Sequence, residues 1–276
     1  MNEQFNFNRW GLLVQKHWRE NRKKYLLSLG AIAGLLILWF SIMLLAEQQN
    51  PYPEEWQVST FYVGMALTGW LFASLFFGEL AGGPKAMHYL SVPASALEKL
   101  LCAILFATVL FTVCYIAIFY LIDMTMLKVA NKVLPRLAAE NGYTYKVQQV
   151  SNVFVAPPGE KVNFYYWLFI GFIHTQAAFL LGSIYFAAYS FVKTTVSVIL
   201  VFLFFVFYVS QVLLNLLPNG TYVSPDFTAY SLSSYDYRQG MKLADWIGDG
   251  MAFLFKYGWA PLLWVVTYFR LKEKEV

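Results

Sequence analysis

Residues 196–217 read VSVILVFLFFVFYVSQVLLNLL, a run with no Asp, Glu, Lys, Arg, Gly or Pro. As an α-helix it is about 33 Å long at 1.5 Å per residue, enough to cross a hydrocarbon core of about 30 Å. Five further runs resemble it: 26–45, 58–78, 100–122, 164–192 and 246–269, the last interrupted by Asp249 and Lys256. The chain is therefore expected to be an all-α integral membrane protein with six transmembrane helices. Composition agrees. Of 276 residues, 59% are hydrophobic, 19% aromatic and 13% charged, against about 25% charged in an average soluble domain. Such a chain cannot cover itself with polar surface, is too apolar to be disordered, and lacks the alternation of a membrane β-barrel.

Familiar soluble chemistry is missing. Cys102 and Cys114 lie in one run, about 18 Å apart on a helix, too far to bridge. His17, His88 and His174 fall in separate segments without metal-ligand spacing. The sequence has no Gly-Lys dipeptide, hence no Walker A loop, and no G-x-S-x-G or G-x-G-x-x-G. No metal and no cofactor is expected, and the chain reads as no enzyme by itself. A net charge of +4 gives no footprint for nucleic acid.

The ends set the orientation. The first apolar run exceeds the 7–15 residues usual in a cleaved signal, so it is expected to stay as a span. Ahead of it, Trp10, Leu13, Val14, His17 and Trp18 recur at helical spacing, with Arg9, Lys16, Glu20 and Lys23 opposite. This predicts an amphipathic helix over residues 1–25 lying at the membrane surface, its cations near anionic lipid. Six spans put both termini on one side, with the loops around Lys85, Lys99 and Lys193. That side holds 12 Lys and Arg and 6 acidic residues, the other 8 and 10. The positive side is expected to be cytoplasmic, with a seven-residue tail, 270–276, ending there.

The loop over residues 79–99 carries the sharpest local signals. Gly82, Gly83 and Pro84 stop the second span, and Pro84 suits the first position of a short helix through Leu90. Pro93 breaks the chain. Ser95-Ala-Leu-Glu98 has capping-box spacing and is expected to start the third span. On the other side, the loop 123–163 carries a helical stripe (Leu127, Ala130, Leu134, Leu137) ended by Asn141-Gly142, then Tyr143, Tyr145 and Val147 alternating as a strand would. Loop 218–245 has a turn at Pro218-Asn-Gly220. These loops are expected to form a small outer cap.

Ionisable groups at membrane depth are functional candidates. His174 lies mid-way along the fourth run with Gln176 near it, Gln211 lies in the fifth, and Lys256 in the sixth. They are read as parts of a translocation path or, alternatively, as interhelical hydrogen bonds with Lys256 snorkelling to the surface. Asp123 and Asp249 read as interfacial. Gly30-x-x-x-Gly34 permits close helix contact.

Taken together, the amphipathic entry, the six spans and the loop Tyr89-Leu-Ser-Val-Pro-Ala-Ser-Ala-Leu-Glu-Lys99 resemble the permease subunits of type-2 ABC exporters. The loop and the ending Tyr268-Phe-Arg-Leu-Lys-Glu-Lys-Glu-Val276 are similar to small permease-like proteins of Bacteroidota, with Val92 where Leu is usual. The resemblance implies a bacterial inner-membrane protein that dimerises with itself or a sister permease and binds a separate ABC ATPase on its cytoplasmic side. It further implies that the short helix 84–90 is the coupling element, with Lys85, His88 and Tyr89 as its contacts. A non-transporting membrane scaffold would use the same spans and need no ATPase.

Overall fold

A computed structural model describes residues 5–46, 50–81, 84–142, 144–155, 164–186, 188–216 and 253–275, with short pieces at 221–223, 229–232, 241–242, 246 and 250. The described residues are almost entirely helical. Five helices are long and apolar enough to cross a bilayer: Phe7–Ala46, Glu54–Phe76, Ala96–Asn141, Phe164–Tyr185 and Ser190–Tyr208. In chain order we name α1 (Phe7–Ala46), α2 (Glu54–Phe76), α3 (Pro84–Leu90), α4 (Ala96–Ile104), α5 (Phe111–Asn141), α6 (Phe164–Tyr185), α7 (Ser190–Leu216) and α8 (Trp259–Glu275). The expected sixth span lies partly outside the described residues. Within them, a π-turn Leu254–Gly258 runs into α8. Three short strands, β1 (Thr221–Val223), β2 (Ala229–Leu232) and β3 (Met241–Lys242), pair antiparallel in that order. The turn expected at 218–220 and Asp249 lie outside the described residues.

Several boundaries differ from the expectation. The amphipathic segment is not a separate interfacial helix, because α1 runs unbroken through both it and the first span. The junction 19–26 contains no Gly or Pro, and Ser28 Oγ and Asn21 Nδ2 donate to carbonyls four residues back. The third span is longer than expected. The chain passes from α4 through a π-turn, Leu105–Leu110, into α5 and on to Asn141. The helical stripe expected in the following loop is thus part of this same helix and stops at the expected Asn141-Gly142, the φ of 71° at Gly142 being the left-handed conformation glycine tolerates. The fourth span stops at Tyr185 rather than residue 192, and α7 starts at Ser190. The turn expected around Lys193 therefore lies a few residues earlier, with Lys193 inside α7; no Gly or Pro marks it, and Tyr189 adopts a φ of 55° there. Residues 144–150, read as strand-like, form no strand, and Tyr143 lies outside the described residues.

Two apolar clusters build the core. One joins Phe40 of α1, Phe61 and Met65 of α2, Tyr115 and Phe119 of α5, and Phe172 of α6. The second lies at the end that carries both termini and joins Phe77, Leu100, Ala103, Phe179, Ile184 and Leu271. Helix α6 packs against α2, α7 and α8, and α1 against α4 and α5. Helix α1 is slanted. His17 meets Phe106 at 4.8 Å and Phe40 meets Phe119 at 6.0 Å between ring centroids. Residues 17–40 span about 35 Å of helix while 106–119 span about 20 Å, so α1 crosses its neighbours obliquely.

Close helix approach depends on glycines other than the expected pair. Gly30 and Gly34 have open space where a side chain would go. A Cβ at Gly69 would come within 2.7 Å of the Phe172 ring, and one at Gly182 would overlap Thr194. Substituting Gly182→Leu or Gly69→Leu is expected to cost about 1–3 kcal/mol by overpacking. In thermal melts followed by size-exclusion chromatography, both variants should lose stability, while Gly30→Leu melts as the parent does.

Candidate functional site

The end carrying both termini is organised by one carboxylate. Ser95 caps α4: its hydroxyl accepts from the Glu98 amide, and the Ser95 amide donates to Glu98 Oε2 at 2.9 Å. The capping box is as the spacing predicts. Its acid does more than cap. Arg9 donates to both carboxylate oxygens, Nε to Oε2 and Nη2 to Oε1, each at 2.7 Å, and the Asn6 amide donates to Oε1 at 2.8 Å. Four donors thus converge on a fully buried side chain. Asn6 is in turn the cap of α1, its side-chain oxygen accepting from the amides of Asn8 and Arg9. The start of α1 is pinned to the start of α4. Arg9, expected on the polar face, is turned inward to do this. His17, expected on a membrane-facing stripe, stacks on Phe76 at 5.0 Å and shares a hydrogen bond with Tyr25.

Helix α3 stands between α2 and this clamp, over the predicted residues Pro84–Leu90. Met87 and His88 are exposed. Tyr89 is half-buried, edge-on to Phe77 at 6.3 Å, with the Lys99 ammonium 5.7 Å from its ring centroid. Ser91 closes the helix, its hydroxyl donating to the His88 carbonyl. Of the three expected contacts, then, His88 faces outward and Tyr89 anchors the helix. The side chain of Lys85 lies outside the described residues. Nearby, Lys274 donates to the Ile184 carbonyl at 2.8 Å, tying the tail to the end of α6. Burial, with Arg270 adding to it, lowers the Lys274 pKa from its usual value.

The polar groups at depth do not come together. Gln176 is fully buried and donates through Nε2 to the Ala107 carbonyl, inside the π-turn. A π-turn disturbs the regular i→i−4 ladder, and a side chain from α6 occupies the carbonyl there. His174 is half-buried, and Gln211 is exposed on α7. Lys256 sits elsewhere, its ammonium 4.7 Å from the Tyr166 ring centroid and 5.9 Å from that of Trp167, at the start of α6. Among the described residues no cluster of His, Cys, Asp and Glu could hold a metal ion.

At the opposite end, amide side chains do the work of a backbone ladder. Gln57 donates to the carbonyls of Tyr52 and Gln149 and accepts from the Ser151 amide. Asn131 on α5 accepts from the Gln148 amide and the Tyr145 hydroxyl. This fixes residues 144–152 over the helix ends and forms a polar cleft of about 390 Å³. Asp123, read as interfacial, is fully buried, and neither carboxylate oxygen has a hydrogen-bond partner among the described residues.

Sequence reasoning missed Asn6 and placed Arg9 on the polar face and Asp123 at the interface, where the structure turns one onto Glu98 and buries the other in the core. Asn6 was findable, since Asn precedes a run of helix formers. The Arg9–Glu98 pair was not, because 89 residues separate its members. Compared with known protein families, curated proteins and solved structures, the chain matches none.

The clamp makes a measurable forecast. Arg9→Ala leaves Glu98 buried without its guanidinium and should lower the melting temperature more than Ser95→Ala, which removes one cap worth about 1 kcal/mol. In a double-mutant cycle, Arg9→Ala should cost little once Glu98 is changed to Ala. Gln176→Leu should destabilise by about 1 kcal/mol through the unpaired Ala107 carbonyl, read by the same melts.

Proposed function

We propose that this chain is the membrane-spanning permease subunit of an ABC-type exporter, moving an unidentified substrate with energy from a separate ATPase subunit. On this reading it sits in a bacterial inner membrane with six spans and both termini in the cytoplasm. It works as a homodimer or beside a sister permease. The observation that carries the reading is α3: a two-turn helix between two spans, presenting Met87 and His88 outward while Tyr89 packs on Phe77 and lies beside Lys99. A short helix so backed can take a push from a docked partner and pass it to the end of α2 and the start of α4. The resemblance of the 89–99 loop to exporter permeases supports the same assignment, as does the excess of Lys and Arg on that side. ATP binding in the partner would drive the change by favouring one of two packings of the helices.

The test is to purify the tagged chain from its own host in nanodiscs and identify its partners by mass spectrometry. The expected result is one ABC ATPase in equal amount, lost when Lys85, His88 and Tyr89 are changed together to Asp, Asp and Ala. Recovery without an ATPase, or with envelope proteins alone, assigns the chain as a membrane scaffold instead.

A further inference from the structure

We infer that the wedge between α1 and the α4–α5 rod is a binding site for an anionic phospholipid from the leaflet on the side of the termini. Because α1 crosses the rod at a slant, the two diverge and leave a groove of about 910 Å³. Its floor is Phe72, Phe106, Leu110, Phe111 and Cys114, and its α1 wall runs from Phe7 through Trp18 and Tyr25 to Ile32. The lining has few polar groups, so a sugar or a free inorganic anion would be desolvated there without compensation. A hydrocarbon tail would not.

The lip of the groove supplies the complementary charge. Asn8, Leu12 and Gln15 line it at spacings of four and three residues. The same ridge continues, again by four and three, to Arg19 and Arg22. Both guanidiniums are exposed, and neither forms an ion pair among the described residues. Of the other nearby cations, Arg9 is held by Glu98, Lys16 pairs with Glu20 at 3.9 Å and Lys24 donates to Asn21, while Lys23 is exposed beside the ridge and can add to its charge. Two guanidiniums one turn apart suit a phosphodiester, which each can meet with a fork of donors. A tail laid from there over Tyr25, Leu29 and Ile32 points along the apolar part of α1, into the bilayer. A second copy of the chain is the weaker occupant on charge grounds. Two-fold pairing through this face would set one cationic ridge against its twin.

The site does not depend on the exporter reading and is tested without an ATPase. The full-length protein in mild detergent is titrated with dioleoylphosphatidylglycerol or dioleoylphosphatidylcholine and followed by native mass spectrometry. The expected result is one tightly held phosphatidylglycerol per chain, preferred about thirtyfold over phosphatidylcholine, from two cations at a lipid headgroup. Arg19→Gln with Arg22→Gln should bring that preference to within about threefold, and Arg22→Gln alone should reduce it about fivefold, so the test survives if the double variant aggregates. Gly11 lines the groove with open space beyond it. Gly11→Trp should therefore weaken binding of both lipids while the melting temperature is kept. Equal binding of the two lipids overturns the proposal, as does a preference that survives in the arginine variants. So does a high yield of disulfide-linked dimer from Gly11→Cys in membranes, which would seat a second copy in the groove.

Discussion

A buried carboxylate must be fully satisfied or it destabilises the fold, and Glu98 meets this demand by recruiting the amino terminus of the chain. Its two oxygens take donors from Ser95, Asn6 and Arg9. One side chain therefore does two jobs. It starts α4 and fixes where α1 begins. The slant of α1 depends on it too: with residue 9 held at the start of α4 and residue 40 packed near residue 119, a straight forty-residue helix must cross at an angle. The groove along α1 is the space that angle leaves.

Local signals in the chain were legible and distant ones were not. The capping box, the bounds of α3 and the stop at Gly142 each depend on residues within one turn of one another, so spacing suffices to read them. The unbroken course of α1 was readable in principle, since helix formers fill residues 19–26; the change from charged to apolar character there marks a change of surroundings and not of backbone. The break between α6 and α7 left no such trace. Residues 185–190, Tyr-Phe-Ala-Ala-Tyr-Ser, continue the apolar run with neither Gly nor Pro. The contact that holds this hairpin together, Gly182 against Thr194, depends on three-dimensional packing. Gly30-x-x-x-Gly34 shows the reverse, a motif present in sequence but unused inside the chain.

The polar groups at depth divide in the same way. Their presence was plain from the sequence, but their roles depended on neighbours. Gln176 completes an irregular turn of the adjacent helix, and Lys256 rests among aromatic rings at the start of α6. These are two separate local solutions to the cost of polarity in an apolar setting, set far apart on α6. The amide network around Gln57 and Asn131 solves the related problem of ordering a segment that has no strand partner.

Helix α1 is pinned near both ends, by Arg9 on Glu98 and by the Tyr52 hydroxyl donating to the Phe40 carbonyl at 2.8 Å. Between these pins few of its residues are buried, Ile32 and Leu36 among them, while His17 and Tyr25 lay their rings on Phe76, Phe72 and Phe106. Its forty residues make a lever about 60 Å long. A rotation of about 5° around the Glu98 pivot displaces the other tip by about 5 Å, roughly one helical turn. The Phe40 pin opposes that swing, so the two pins together guard against a lever arm that would magnify any play at either one.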